Sequence, residues 1–494
     1  MAGGFDTVIR EVSVYDGTGA PPVTADVALQ GERIAACGAV SGGARETLDG
    51  RGLALAPGFI DVHTHDDFAA AMYPDMAFKL CGGVTTCVVG NCGFGAAPHA
   101  AAMAMARTLH PRLDLPEWAG YSGYAALLER NPPGTNIGFL VGHGTARLAA
   151  MGLEARAPEA AEMARMKAIV EEGLAAGALG MSSGLIYDPG RFAATDELVE
   201  LASLLRGTGA LYATHMRDEG TSLIASVEEA VAIGRRAGVP VQISHHKAAG
   251  PPAWGLVRES LKRIEAAQRS GMDVHADQYP YTAGSTILAA VFRDGRLGRS
   301  VGEVGPEEVV IASTASHPAW EGKSIAALAV EMQCDPDAAA ARVLAEDPGV
   351  TVILHTMSED DVRTVMRHPS TMIGSDGIPT LEGKPHPRLY GTFARVLGRY
   401  ARDEKLLPLA EAVYRMTGFP AAKFGLEGRG TLRAGQYADL VLFDPARILD
   451  RGTFEDPKRI PDGITAVFVN GVKAFAGGAA TGARAGRVLR RRGS

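Results

Sequence analysis

The segment Pro57-Gly58-Phe59-Ile60-Asp61-Val62-His63-Thr64-His65 is an apolar run that ends in two histidines spaced two apart. Strand residues i and i+2 point to one face, so His63 and His65 aim two imidazoles into the same space. Neutral imidazole is the commonest protein ligand for zinc and its neighbours. Cys92, His215, His245 and Asp376 follow, each at the end of its own apolar run. A lone histidine is more often structural than a ligand. Six potential ligands at the same relative position, the strand end, point instead to a metal centre.

Such residues need a frame that brings together positions more than 300 apart in sequence. From Pro57 to about Gly425, short apolar runs alternate with amphipathic helical stretches, the pattern of repeated βα units on a parallel sheet. Leu211 to His215 reads as a strand. The following helix carries Leu223, Val227, Ala230 and Val231 on one face and ends near Gly238. The next strand ends at His245, 30 residues beyond His215, which is about one βα repeat. Eight candidate strands end near His65, Asn91, His143, Ser183, His215, His245, Gln278 and Asp376. Eight is the number that closes a (β/α)8 barrel, whose chemistry sits at the C-terminal strand ends. The predicted class is therefore α/β, a TIM-like barrel over residues 57–425 with an insertion across its mouth at about 285–348.

Residues 1–56 read differently, as short strands such as Thr7–Arg10, Asp26–Leu29 and Arg33–Ala36 separated by turns. Residues 426–494 have the same character, with strands at Ala438–Asp444 and Ile464–Asn470. The economical prediction is one small β-sandwich built from both chain ends. Arg487, Arg490, Arg491 and Arg492 make the end basic, and a solvated, poorly ordered tail is expected there.

Composition narrows the function. The 494 residues carry a net charge of −7, mild for this size, which argues against a nucleic-acid surface. The start, Met1-Ala2-Gly3-Gly4-Phe5-Asp6, has neither a charged nor an apolar leader, and no run of about 18 apolar residues suggests a membrane span. The five cysteines (Cys37, Cys81, Cys87, Cys92 and Cys334) are odd in number and irregularly spaced, unlike a disulfide framework. A cytoplasmic protein is expected, and its oligomeric state is left open.

The His-x-His strand, two later strand-end histidines and a last strand-end aspartate resemble the amidohydrolase superfamily. Many members bridge two metals with a carboxylated lysine at the end of strand four, but Gly177-Ala178-Leu179-Gly180-Met181-Ser182-Ser183-Gly184 contains no lysine. Gly90-Asn91-Cys92-Gly93 offers a cysteine instead, which resembles the N-acyl-D-amino-acid deacylases. The likeness spans nearly the whole chain, including Leu140 to Thr145, Ser182 to Tyr187, Ser244-His245-His246-Lys247 and Gly374-Ser375-Asp376-Gly377. It implies zinc, one or two ions per chain. Cys92, His215 and His245 would hold the tighter site, and His63, His65 and Asp376 the second, with Cys92 shared. Sulfur suits zinc, and a metal lowers the thiol pKa.

The resemblance implies hydrolysis of N-acyl-D-amino acids to a carboxylate and a free D-amino acid. An open zinc position lowers the pKa of water toward ~7 and polarises a carbonyl. Asp376 is the expected proton carrier between water and the leaving nitrogen. Lys247, two residues after His245, can share its mouth-facing side, and Arg388 follows His386-Pro387 in a loop after the last strand. With Tyr187 these are the implied carboxylate contacts. Tyr279, Tyr281 and Ser285, after strand seven, are expected to line the pocket. His143 is expected to support strand three, His246 to point away from the mouth, and His355 to neighbour the pocket. The alternative is hydrolysis of a cyclic amide, dipeptide or N-acyl amine, or a non-catalytic barrel scaffold.

Overall fold

The computed structural model describes residues 4–107, 113–298 and 304–491. Its centre is a sheet of parallel strands formed by Phe59–Asp61 (β1), Val84–Val89 (β2), Asn136–Gly142 (β3), Gly180–Gly184 (β4), Leu211–His215 (β5), Val241–Ile243 (β6), Val274–Gln278 (β7) and Thr371–Ile373 (β8), each beside the next. Every residue of β2 and β3 is buried. Helices cover one face and the barrel interior fills the other, so these strands need apolar residues on both sides.

The ring closes between β8 and β1. Asp376 N–H donates to the His63 carbonyl at 2.7 Å, and His65 N–H donates to the Gly377 carbonyl at 3.1 Å. Side chains reinforce the seam. Ser375 Oγ donates to Asp61 at 2.5 Å, and Lys79 Nζ donates to Asp61 at 2.9 Å while standing 3.2 Å from Asp66. Lys79 is only 1% exposed, so its charge survives there only because two carboxylates face it. The eight strand ends and the closed (β/α)8 barrel are those expected from the sequence.

The segment between β7 and β8 builds its own small unit over the mouth. Gly284–Ile287, Thr351–Leu354 and Val309–Ser313 form a three-stranded antiparallel sheet, packed on helices Ile325–Met332 and Pro336–Glu346. Residues 299–303 of this segment lie outside the described residues.

Both chain ends meet in one nine-stranded sheet. Its N-terminal and C-terminal halves join where Ala54–Pro57 pairs antiparallel with Leu440–Phe443. The sheet curls back so that Arg33 bridges to Tyr437. Ile9, Val14, Leu29, Leu55, Leu440 and Phe468 from both ends share the enclosed core.

The C-terminus departs from expectation. Val488–Leu489 is a strand, parallel to the first residues of β3, with Val488 opposite Ile137 and Leu489 opposite Gly138. β4 pairs with β3 only from Leu140 onward, which leaves the start of β3 with an open edge that this segment fills. Arg490 is ion-paired with Glu129 at 2.6 Å, and Arg487 is paired with Glu32. The basic residues thus fasten the segment down instead of leaving it as a solvated tail. Arg492 lies outside the described residues, as do Met1 to Gly3.

Candidate metal centre

The strand ends converge as the spacing requires. Cys92 Sγ lies 3.3 Å from His63 Nε2, 3.6 Å from His245 Nε2 and 3.7 Å from His215 Nδ1. Asp376 Oδ1 lies 3.1 Å from His65 Nε2 and 3.4 Å from His63 Nε2. Two groups result, His63-His65-Cys92-Asp376 and Cys92-His215-His245. Within each, one ligand atom per residue lies no more than 4.8 Å from the others. Ligands at about 2.0–2.3 Å from a zinc ion sit that close to one another, and nitrogen, sulfur and carboxylate oxygen are the donors zinc takes. The residues fit one ion or a pair sharing the cysteine.

The chain bends sharply to present them. Cys92, His245 and Asp376 all have positive φ, at 54°, 36° and 51°. Each such residue costs about 1–3 kcal/mol and persists only where its surroundings hold it. Asp277 accepts the His245 N–H at 2.8 Å, and the seam bond to His63 pins Asp376. Gly90 (φ 82°) makes the turn into Asn91-Cys92, where a Cβ would stand 2.3 Å from the Leu140 carbonyl oxygen. At the end of β4, Ser183 Oγ is taken up by the Tyr212 and Thr214 hydroxyls at 2.6 and 2.9 Å. That position has no amine to carry a bridging carboxylate, and the Cys92 sulfur occupies the centre of the cluster instead.

Charge follows the geometry. Burial alone would raise the Cys92 thiol, but the His63 charge and hydrogen bonds from His215 and His245 outweigh it and hold the thiol well below its usual range. Burial also opposes ionisation of Asp376. Arg388, whose Nη1 stands 2.9 Å from Asp376 Oδ2, leads the charges that keep this carboxyl well below the ordinary range.

Two carboxylates missed in the sequence complete the cluster. Glu219 Oε1 lies 2.9 Å from His245 Nδ1 and accepts from Lys247 Nζ at 2.6 Å, and Oε2 lies 3.6 Å from His215 Nε2. Asp277 Oδ1 lies 3.1 Å from His63 Nδ1, and Oδ2 accepts from Gln242 at 2.9 Å. Such outer partners fix ring orientation and tautomer, leaving the inner nitrogens for a metal. Asp277 lies on β7 one residue before the strand end near Gln278 that the sequence marks, a signal available in the sequence. Glu219 sits in a loop four residues after His215, where no periodicity marks it.

The expected substrate contacts gather beside the ligands. Tyr187, Lys247, Tyr279 and Ser285 line a small pocket of about 40 Å³ with His215, His245 and Asp376. Arg388 opens a helix, Arg388–Arg395, where a loop was expected, and stacks 4.4 Å from the Tyr279 ring centroid. Its Nη2 donates to the Ser285 carbonyl at 3.2 Å. The Tyr187 hydroxyl meets Thr286 Oγ1 at 3.0 Å. Tyr281 stands behind them, with its hydroxyl on Asp450 at 3.3 Å. His143 Nε2 joins Glu197 at 2.8 Å and ties the segment after β3 to helix Thr195–Ala202, while His246 turns away to Ser260 at 2.9 Å. His355 packs on Phe454, outside the ligand cluster.

Comparison with known proteins places this arrangement. The chain matches the profile of the amidohydrolase family over residues 46–277 and 254–475. It is 43% identical to a D-aminoacylase of Alcaligenes xylosoxydans xylosoxydans, covering 99% of this chain and 98% of that protein. An N-acyl-D-glutamate deacylase of the same organism is 41% identical, with 99% and 97% covered. The structure of N-acyl-D-glutamate deacylase from Bordetella bronchiseptica, complexed with zinc and a phosphonate mimic of the tetrahedral intermediate, superposes with a TM-score of 0.90. The two are 39% identical, over 99% of this chain and all of that one.

Proposed function

Because this chain belongs to the amidohydrolase family, we propose a division of labour among its residues in the zinc-dependent hydrolysis of N-acyl-D-amino acids, the reaction it performs. The products are a carboxylate and a free D-amino acid. Cys92, His215 and His245 would hold one ion, and His63, His65 and Asp376 a second that shares the Cys92 sulfur. Bound zinc supplies a Lewis acid that polarises the amide carbonyl and makes water nucleophilic at neutral pH.

Asp376 carries the proton. Its carboxylate accepts a proton from the attacking water and returns it to the amide nitrogen, which otherwise leaves as an unstable anion. Arg388 on Oδ2 keeps the group ionised and ready to accept. Lys247 and Arg388 both stand over the Tyr279 ring, at 5.8 and 4.4 Å from its centroid, and the substrate carboxylate is held by these cations. Tyr187 and Ser285 close that side. Lys247 keeps Glu219 as a partner, so binding adds a second carboxylate to an ammonium that already holds one. A cytoplasmic location suits this reading, since Cys92 must stay a free thiol and the chain's five cysteines are all unpaired.

The observation that carries the reading is the Cys92 sulfur within 3.7 Å of three imidazoles, at the focus of both ligand groups. The test is amine release by zinc-loaded protein from paired N-acetyl-D- and N-acetyl-L-methionine, phenylalanine and glutamate. Turnover of the D members alone is expected. Turnover of neither hand, with zinc bound, would move the substrate to another amide.

A further inference from the structure

His386 joins the proposed carboxylate anchor to the mouth insertion. It lies in the chain between β8 and helix Arg388–Arg395 and is only 4% exposed. Its Nδ1 accepts the Arg388 backbone N–H at 3.0 Å, and its Nε2 donates to the Ala283 carbonyl at 2.9 Å. A carbonyl can only accept, and a backbone N–H can only donate. The two partners therefore fix the proton on Nε2 and leave Nδ1 as a bare acceptor, so the ring is neutral. Burial and the Arg388 charge act the same way and hold the imidazole well below its usual range. Tyr281 and Phe454 meet the ring edge-on, each at 5.1 Å between centroids.

These contacts decide where Arg388 begins. Arg388 supplies the first N–H of its helix, a group that no carbonyl within the helix can take. The imidazole takes it from two residues upstream, as an asparagine or aspartate side chain does in a turn. At the other end of the arginine, Nη2 donates to the Ser285 carbonyl at 3.2 Å. Its Nε has no hydrogen-bond partner among the described residues. Ala283 and Ser285 are two residues apart at the start of the mouth insertion. One short stretch is thus gripped twice, by the ring and by the guanidinium, and the ring also holds the backbone from which that guanidinium extends. A long arginine side chain presents its fork to a carboxylate in register only where its base is fixed.

We propose that His386 is a positioning residue for substrate binding, whose ring holds the Arg388 N–H and so aims the guanidinium at the substrate carboxylate. This rests on the deacylase reading and on Arg388 as its carboxylate anchor. His386 belongs to neither ligand group. The carboxylate is held alike before and during attack on the amide, so loss of the aim raises KM and leaves kcat nearly unchanged.

The experiment separates the two nitrogens of the ring, using the zinc-loaded full chain and the N-acetyl-D-amino acid turned over best in the paired assay. His386→Gln reaches the Nε2 position and keeps the Ala283 bond alone. His386→Asn places an oxygen where Nδ1 stands and keeps the acceptor for Arg388. A buried N–H stripped of its acceptor is expected to raise KM about tenfold in His386→Gln, with kcat within about threefold of wild type. His386→Leu lacks both bonds and should raise KM as far, so a folding fault in one variant does not decide the matter. His386→Asn is expected to recover most of the binding, with KM within about threefold of wild type. The free D-amino acid keeps the carboxylate and lacks the acyl group, and it should weaken as an inhibitor by the same factor as KM rises. An unchanged KM in the glutamine and leucine variants, or an equal rise in the asparagine variant, overturns the proposal. So does a fall in kcat at constant KM, because the ring would then act on Asp376 through Arg388 and not on the substrate. A wild type that binds zinc but releases no amine from any N-acyl-D-amino acid overturns the deacylase reading, and this proposal with it.

Discussion

Glu219 Oε1 stands 2.9 Å from His245 Nδ1, which leaves Nε2 of the same ring facing the Cys92 sulfur at 3.6 Å. The same oxygen accepts from Lys247, so one buried carboxylate joins the candidate ligand cluster to the proposed substrate anchor. Burial opposes its ionisation, but the charges of Lys247 and His245 outweigh that and keep the carboxyl far below the usual range. Glu219→Gln keeps the shape and removes the charge. Loss of such a partner typically costs 10–100-fold in metal affinity. Zinc competition against a chelator is expected to show a drop of about that size, and an unchanged affinity would mean that Glu219 serves Lys247 alone.

Asp376 is a member of one ligand group and the proposed proton carrier, and the two roles separate experimentally. Cys92, His215 and His245 form a group without it. Asp376→Asn is expected to retain zinc at that group while kcat falls by about 10²–10⁴, the usual worth of a positioned acid–base group. Metal content and turnover on the same sample check both halves. Near-normal turnover with zinc bound would end the proton-carrier role.

The ring of candidate ligands was legible because barrel chemistry is written at strand ends. An apolar run fixes where each strand stops, so His63, His65, Cys92, His215, His245 and Asp376 could be aligned without knowing a single contact. What supports them was not legible. Glu219 reaches His245 and Lys247 from the loop after the neighbouring strand, and Asp61 meets Ser375 only once β8 closes on β1. Such pairings follow from how neighbouring strands meet and how the ring closes, which leaves no local period in the chain. The C-terminal strand escaped for a related reason. An Arg-rich end looks solvated until the open edge at the start of β3 is known.

Glu197 gives stability a pH dependence remote from the ligand cluster. Its carboxyl lies between His143 and the fully buried Arg147. Burial raises its pKa, and the His143 and Arg147 contacts outweigh that, so the net shift is downward. A carboxyl whose folded-state pKa is depressed adds stability that is complete above its unfolded value and is lost as pH falls through the folded value. Glu197→Gln strands the buried Arg147 charge, at a cost of about 3–5 kcal/mol. The gap in thermal midpoint between wild type and variant should therefore be widest near neutrality and narrow as pH drops below about 4.5, the ordinary carboxyl range. A gap independent of pH would mean that the pair contributes packing without charge.

Asp277 ties β7 to β6 and to two candidate ligands, His245 and His63. Oδ1 takes the His245 N–H at 2.8 Å and lies 3.1 Å from His63 Nδ1, while Oδ2 takes Gln242. With Nδ1 turned to a carboxylate, His63 keeps its proton there and leaves Nε2 for the metal. Asparagine at 277 keeps an oxygen for the His245 N–H but replaces the carboxylate charge facing His63 Nδ1 with a neutral amide. The backbone at His245 should hold while the His63 ring loses its charged partner. Asp277→Asn is thus expected to weaken zinc binding about 10–100-fold at the His63-His65-Asp376 group and to spare the Cys92-His215-His245 group. A zinc titration with two resolved steps, of which only the weaker moves, is the expected result. Equal loss at both steps would show that Asp277 acts through the His245 backbone and not through the His63 ring.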